Sequence, residues 1–389
     1  MKKSIFVSVH MLRSYPFSRP NAGDDGEQKT AYFGGCLRSK ISAQSIWRAT
    51  CDEMSSHPDA TEEFKQIRTK YVVDYISGKL ANEIADEKSR NKKAADIVAA
   101  FFGENKNVAA EKAKKTDDDG DTSDAKSDSL ILTSEKEIAW LLENYANLSK
   151  DTKDIKKDLK KKWEADRPIS FLQAISGRML TSNTDVEIRG TKQIASAMGV
   201  NKIEGETQDF FTACDDLSEG ATTQHMGYTS FNASIYYYHN SFSVNETLDN
   251  LAGRKDIIIN GFRRLLIATL NANPKGKMAS FGNNTKPNLV MVRISDNSDN
   301  FVNAFLNPVK GGDNESQMEV AEKVLLEYIG KYASAYYTSV DDFGKFFIFS
   351  FDDMALELAG KIDVNRNTYN NYYKMVDGAV DFLESQLSE

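Results

Sequence analysis

Four runs rich in β-branched and aromatic residues mark where this chain builds a sheet, and a long block unsuited to a sheet separates the first from the rest. The first, "SIFVSVHML", alternates Ile5, Val7, Val9 and Met11 against Phe6, Ser8, His10 and Leu12, as a strand with one buried face does. "SIYYYHNSFSV", "NLVMVRISD" and "KFFIFSF" follow only in the second half. After the first strand comes a loop with Pro16 and Pro20, then a helix from Ala43 to Cys51 with Ser42 as its N-cap. From Thr61 to Phe102 the pattern is helical and charged. Residues 103–129 carry almost no large apolar side chain and read as a mobile loop. Ser134 and Glu137 then form a capping box before Ile138, Leu141, Leu142, Tyr145 and Leu148 on one helix face. A lysine-rich helix follows and stops at Pro168, and residues 317–338 predict another packed helix. The expected class is α+β, with a sheet completed by distant parts of the chain around a helical insertion.

A chain of 389 residues is long for one core and suggests two lobes. No apolar run approaches the roughly 18 residues of a membrane helix. "MKKSIFVSVHML" has a basic start, but Ser8 and His10 interrupt its apolar stretch and no small-residue cleavage site follows, so it reads as a strand rather than a signal peptide. Three scattered cysteines, Cys36, Cys51 and Cys214, exclude a disulfide framework or zinc ribbon and fit a reducing cytoplasm.

Enzymatic chemistry finds little footing. His10, His57, His225 and His239 lack metal-ligand spacing and stand beside no nucleophile motif. An EF-hand aligned on Gly120 would put Lys115 and Lys126 where acids are required. "PKGKMA" lacks the upstream glycine and the Ser/Thr of a phosphate-binding loop. Asp24 and Asp25 could pair on a metal, although a solvated turn explains them as well. The expectation is a protein without catalytic residues, metal or cofactor.

Charge is more informative in its distribution than in its sum of -8. With 57 acids, one is expected about every seven positions, yet none lies between Glu27 and Asp52 or between Asp256 and Asp296. The first gap holds Lys29, Arg38, Lys40 and Arg48; the second holds Arg263, Arg264, Lys275, Lys277, Lys286 and Arg293. Inside the first gap, "FGGCLRSKISAQSIWRA" sets two glycines before a basic helix start. Glycines admit close backbone approach, and a helix start offers amide donors to an anion. Ser42, Gln44 and Ser45 add hydrogen-bonding groups. Such a set suits a sugar-phosphate backbone gripped without reading bases.

"SVHML", "DDGEQKTAYFGGCLRSKISAQSIWRA", "ISGRM", "DFFTACDDL" and "QHMGYTSF", in this order, resemble the Cascade backbone subunit of type I-E CRISPR systems, the CasC family. The resemblance runs to about residue 240 and continues more weakly through "ANPKGKMASFGNNTKPNLVMVRISD". It implies an RRM-like (ferredoxin-like) palm at 1–59, 166–184 and 226–389, helical fingers at 60–165 and a β-hairpin thumb at 185–225. Copies would stack head to tail on a crRNA, kink it and present segments to target DNA, beside large, small, cap and crRNA-processing subunits. Lys29, Arg38, Lys40, Ser42, Gln44, Ser45 and Arg48 would line the RNA, joined by Ser176, Gly177, Arg178 and Met179 on the palm. Phe210, Phe211 and Thr212 would stack or wedge from the thumb, His225 and Met226 would mark its return, and Lys275 and Lys277 would lie in a basic loop touching RNA or the next subunit.

The chain departs from that family at Cys36, Trp47 and Cys51, where basic residues are usual, and at Ala22-Gly23, where Asn-Arg is usual. A rival reading from the wider superfamily is a metal-dependent RNA endonuclease using Asp24 or Asp25.

Overall fold

A computed structural model describes residues 4–103, 130–146, 152–180, 183–203, 206–211 and 226–388. Its strands, in chain order, are β1 (Phe6–Ser18), β2 (Thr30–Phe33), β3 (Cys36–Ile41), β4 (Ile67–Thr69), β5 (Ile131–Thr133), β6 (Lys192–Ile194), β7 (Ala197–Gly199), β8 (Glu206–Phe211), β9 (Met226–Ser243), β10 (Leu289–Ser295), β11 (Lys345–Ser350) and β12 (Asn365–Tyr369). The chain divides into two compact units, one of Met1–Glu53, Gln193–Ser243 and Phe262–Glu389, the other of Met54–Lys192 and Val244–Gly261. The class is α+β.

The first unit holds a sheet ordered β12-β11-β10-β1-β9-β7-β3-β2, with β6 and β8 also paired to β9. The ladders along that order, and β8 with β9, are antiparallel except β11 with β12, so the sheet is mixed. Distant segments do complete one sheet. β1 lies in its middle because it is covered on both faces: Val7, Val9, Met11 and Leu12 are buried, and so are Ser8 and His10. The alternation predicted one wet face; the structure has none there. On one side Trp47 and Phe262 pack at 6.2 and 6.4 Å, respectively, from the Phe242 ring of β9. On the other, Leu325, Leu326 and Ile329 of the helix Gln317–Tyr336 share a core with Leu12, Tyr237, Met291 and Ile348. That helix, expected at 317–338, opens with a reciprocal capping box between Ser316 and Glu319.

β1 runs past Pro16, where the sequence suggested a loop. The β1–β9 register shifts between Tyr15 and Ser18, so the proline, which has no N–H, falls at an irregularity in the ladder.

The second unit contains the helices Val72–Lys79, Glu87–Phe102, Glu135–Ala146, Thr152–Asp166 and Phe171–Ser176. Asp86 caps the second of these through Ser89 N–H, and Gly103 ends it with φ 76°. A short ladder of β4 with β5 crosses this otherwise helical block, which periodicity did not reveal. Residues 166–184, expected with the sheet, belong to this unit. Of the expected mobile loop, 104–129 lie outside the described residues, as do 212–225 of the expected thumb. Among the described residues no helix is long and apolar enough to cross a membrane.

Candidate nucleic-acid interface

Gly34 and Gly35 make the turn between β2 and β3, with φ 58° and 78°. A Cβ on Gly34 would lie 1.7 Å from the Leu306 carbonyl oxygen, so this glycine seats the turn on residue 306; Gly35 faces open space. The pair therefore serves chain packing at one residue and offers open backbone only at the other. β3 leads to Ser42, whose hydroxyl accepts from Ser45 N–H at 3.3 Å and caps the helix Ala43–Ser56. Ala43 N–H is also taken, by Ser196 Oγ at 3.3 Å, so the helix start is partly satisfied from within.

Packing around Asn21 gathers the cations of the first gap. Asn21 accepts from Lys29 N–H through its carbonyl and from Ser42 N–H through its side chain, at 2.9 and 2.8 Å. Lys40 N–H donates to Lys29 O at 2.8 Å. Gln44 and Arg48, four residues apart, are both exposed on the helix that follows. Asp52 sits 2.9 Å from Arg48 and 3.9 Å from Lys275, bringing the second basic segment to the same helix. Gly276 holds that segment in place, since a Cβ there would meet Pro20 O at 2.4 Å. Lys277, in a left-handed conformation, heads the short helix Met278–Phe281. Lys29, Lys40, Gln44, Arg48 and Lys275 thus lie on neighbouring segments of one surface.

Two arginines leave that surface. Arg38 is fully buried: its guanidinium donates to the carbonyls of Gly199, Val200, Phe305 and Leu306. It ties β3 to the chain on either side and has no face turned to solvent, so the expectation that it lines RNA gives way to a structural role. Arg178 is also buried. It pairs with Glu137 at 2.5 Å, donates to Leu132 O and Val186 O, and lies over the rings of Phe102, Phe101 and Trp163. Its neighbours follow suit: Ser176 donates to Gln66 Oε1 at 2.9 Å, and Gly177 (φ 77°) abuts Gly190, whose nitrogen a Cβ would approach to 2.5 Å. Only Met179, 83% exposed, projects from this group.

The rest of the second gap disperses. Arg263 pairs with Asp377, Arg293 is buried against Asp299, and Lys286 donates to Asn271. Phe210, Phe211 and Met226 fall on the β8–β9 ladder, where Phe210 faces Gly227 and Phe211 faces Met226. Thr212 and His225 lie outside the described residues. Asp25 accepts from Glu27 N–H at 3.0 Å within a turn. Among the described residues no cluster of three or more His, Cys, Asp or Glu is placed to hold a metal ion.

The Cas family model for CT1975-like proteins matches residues 7–371. The chain belongs to the CT1975-like Cas family. It shares its fold with a chain of a CRISPR RNA-guided surveillance complex in a pre-nicking form, at 20% identity and TM-score 0.75, over 97% of this chain and 99% of that one. A chain of another CRISPR RNA-guided surveillance complex aligns with TM-score 0.66 at 19% identity, over 97% and 99%. Comparison with curated proteins gives no match.

In this CT1975-like chain, sequence reasoning missed an aromatic trio beside Lys277. Phe281 lies 6.0 Å from Phe231, which lies 5.9 Å from Phe17, itself 62% exposed, at the end of the β8–β9 ladder. These residues come from three distant segments, and no local pattern joins them.

Proposed function

We propose that this chain is a non-catalytic crRNA-binding backbone subunit of a type I-E Cascade complex. Copies line up head to tail on one guide, which pairs with target DNA, in company with large, small, cap and crRNA-processing subunits. In this reading the sheet-bearing unit is an RRM-like palm, the helical unit the fingers, and the β8–β9 hairpin the thumb. The observation that carries it is the grouping of half-buried Lys29 and Lys40 with exposed Gln44, Arg48 and Lys275 on neighbouring segments, on a fold shared with chains of CRISPR RNA-guided surveillance complexes. Exposed cations bind phosphates by releasing counterions, which grips a strand of any sequence.

The test is Lys40→Glu combined with Arg48→Glu, co-expressed with a CRISPR array. The expected product is a folded protein that no longer assembles on guide RNA, while the parent's RNA binding weakens steeply with salt. Assembly unaffected by both reversals would remove this surface from RNA binding. Incubation with complementary RNA and magnesium checks the non-catalytic part: periodic cleavage would replace it with the endonuclease reading.

A further inference from the structure

Two exposed apolar patches lie toward opposite edges of the sheet. Tyr32, 80% exposed, is on edge strand β2, and Leu306, 49% exposed, sits under the adjoining Gly34 turn. Phe351 (85%), Met354 (47%) and Tyr373 (55%) lie where β11 and β12, parallel to each other, leave the sheet. β11 and β2 are six steps apart in the strand order, about 30 Å at the usual spacing. Isolated exposed apolar residues need no explanation, but Phe351, Met354 and Tyr373 gather at one sheet end from two chain segments.

The charges around the two patches are opposite. Tyr32 stands in the stretch without a carboxylate, with Lys29 and Lys40 on its hairpin. Lys202 is exposed beside it, because Ile203 N–H donates to the carbonyl of Leu37, the residue facing Tyr32 in the ladder. Phe351 is followed directly by Asp352 and Asp353, with Glu357 one helical turn further on. The cations there are Lys374, Lys361, which pairs with Glu357, and Arg366, which is turned onto the carbonyls of Gly360 and Val364 at the far end of the β11–β12 crossover.

We infer that the Tyr32–Leu306 patch of one copy docks on the Phe351–Met354–Tyr373 patch of the next. Two different, complementary surfaces make a heterologous contact, which repeats without closing into a two-fold pair. Aromatic anchors supply the buried core and the opposite charges orient the encounter. This assigns surfaces to the head-to-tail contact and rests on the proposed function.

The experiment uses two full-length variants, Phe351→Lys and Tyr32→Asp, each with one damaged patch, with circular dichroism confirming the fold. Native mass spectrometry counts copies bound to a guide RNA. Each variant alone is expected to bind as single copies, with association weakened at least tenfold, about 1.4 kcal/mol. An equimolar mixture is expected to form pairs through the intact patch of each, and nothing longer. Tyr373→Asp, on the same patch from another segment, should behave as Phe351→Lys does.

Parent-length assemblies from Phe351→Lys alone would overturn the assignment, as would a mixture that forms no pairs, which would indicate that some other protein covers these patches. A parent protein that binds no RNA would instead fail the proposed function. The pairing of the two variants in concentrated RNA-free protein would still read the interface.

Discussion

The Arg178 guanidinium and the Glu137 carboxylate meet at 2.5 Å with neither side chain reaching solvent. Glu137 accepts in addition from Thr133 Oγ1, Trp163 Nε1 and Gln173 Nε2, at 2.8, 2.9 and 2.7 Å. One carboxylate thus joins β5, three helices and the segment after residue 176. Arg178→Met would strand that carboxylate without its countercharge, and breaking a buried pair from one side costs roughly 3–5 kcal/mol. The expected result is a lower unfolding midpoint for the helical unit, followed through Trp163 fluorescence. A variant as stable as the parent but defective in RNA binding would return Arg178 to the RNA surface.

Arg38 and Lys40, two residues apart on β3, should separate cleanly in experiment. Arg38→Ala removes donors to the carbonyls of Gly199, Val200, Phe305 and Leu306; Val200 O keeps Val309 N–H, and each buried acceptor left unpaired costs about 1–3 kcal/mol. A marked loss of stability in denaturant is expected. Lys40→Ala should change stability by no more than ~0.5 kcal/mol. Its effect should be on RNA, reducing the slope of log affinity against log salt by about 0.7 for a single strand. Equal stability losses in the two variants would contradict this division.

The same pair shows where sequence reading reaches and where it stops. The Gln317–Tyr336 helix was legible because burial of one stripe imposes a period, and β10 because its run of β-branched and apolar residues suits a strand buried along its whole length. The absence of carboxylates between Glu27 and Asp52 was also legible, and in the structure Lys29 and Lys40 of that stretch lie side by side next to Asn21. Whether a given arginine joins them was not legible. Arg38 and Arg178 are buried because backbone carbonyls and a carboxylate from remote segments receive them, and composition says nothing about remote partners. Glu137 shows the same limit: Ser134 does cap Glu137 N–H, at 3.2 Å, but the glutamate side chain turns inward to Arg178 instead of closing the box.

Glu322 should make stability fall as pH rises. It is buried on the Gln317–Tyr336 helix with one weak donor, Ser350 Oγ at 3.4 Å. Burial first, and Asp352 second, raise its pKa from the usual 4.5 to about 8. Between those values the folded protein keeps a proton that the unfolded chain releases. Its contribution is complete below 4.5 and is lost as pH rises through 8, with a slope of about 1.4 kcal/mol per pH unit. Glu322→Gln should be more stable than the parent at pH 8 and should lose this slope in urea titrations. A parent equally stable at pH 6 and pH 8 would refute the assignment.

The His10–His239 pair should act in the opposite sense at lower pH. The two residues face each other across β1 and β9 with ring centroids 4.8 Å apart, and His10 Nδ1 shares a 2.8 Å hydrogen bond with Tyr237 OH. Burial, then His239, then Arg293 holds His10 well below the usual histidine range; burial and then Arg293 lowers His239 to about 4. Unfolded histidines take protons near pH 6.5; folded His239 refuses one until about pH 4, and His10 is held down in the same direction. Their contribution is therefore present above 6.5 and lost as pH falls, at up to ~1.4 kcal/mol per histidine per pH unit. Between pH 4.5 and 6.5 the histidines act against Glu322, and above 6.5 only Glu322 changes, so stability should fall from pH 6.5 towards 8. His239→Phe should lower the slope between pH 4.5 and 6.5 by up to ~1.4 kcal/mol per pH unit and leave the alkaline side intact. An unchanged acid limb would show that these imidazoles do not set it.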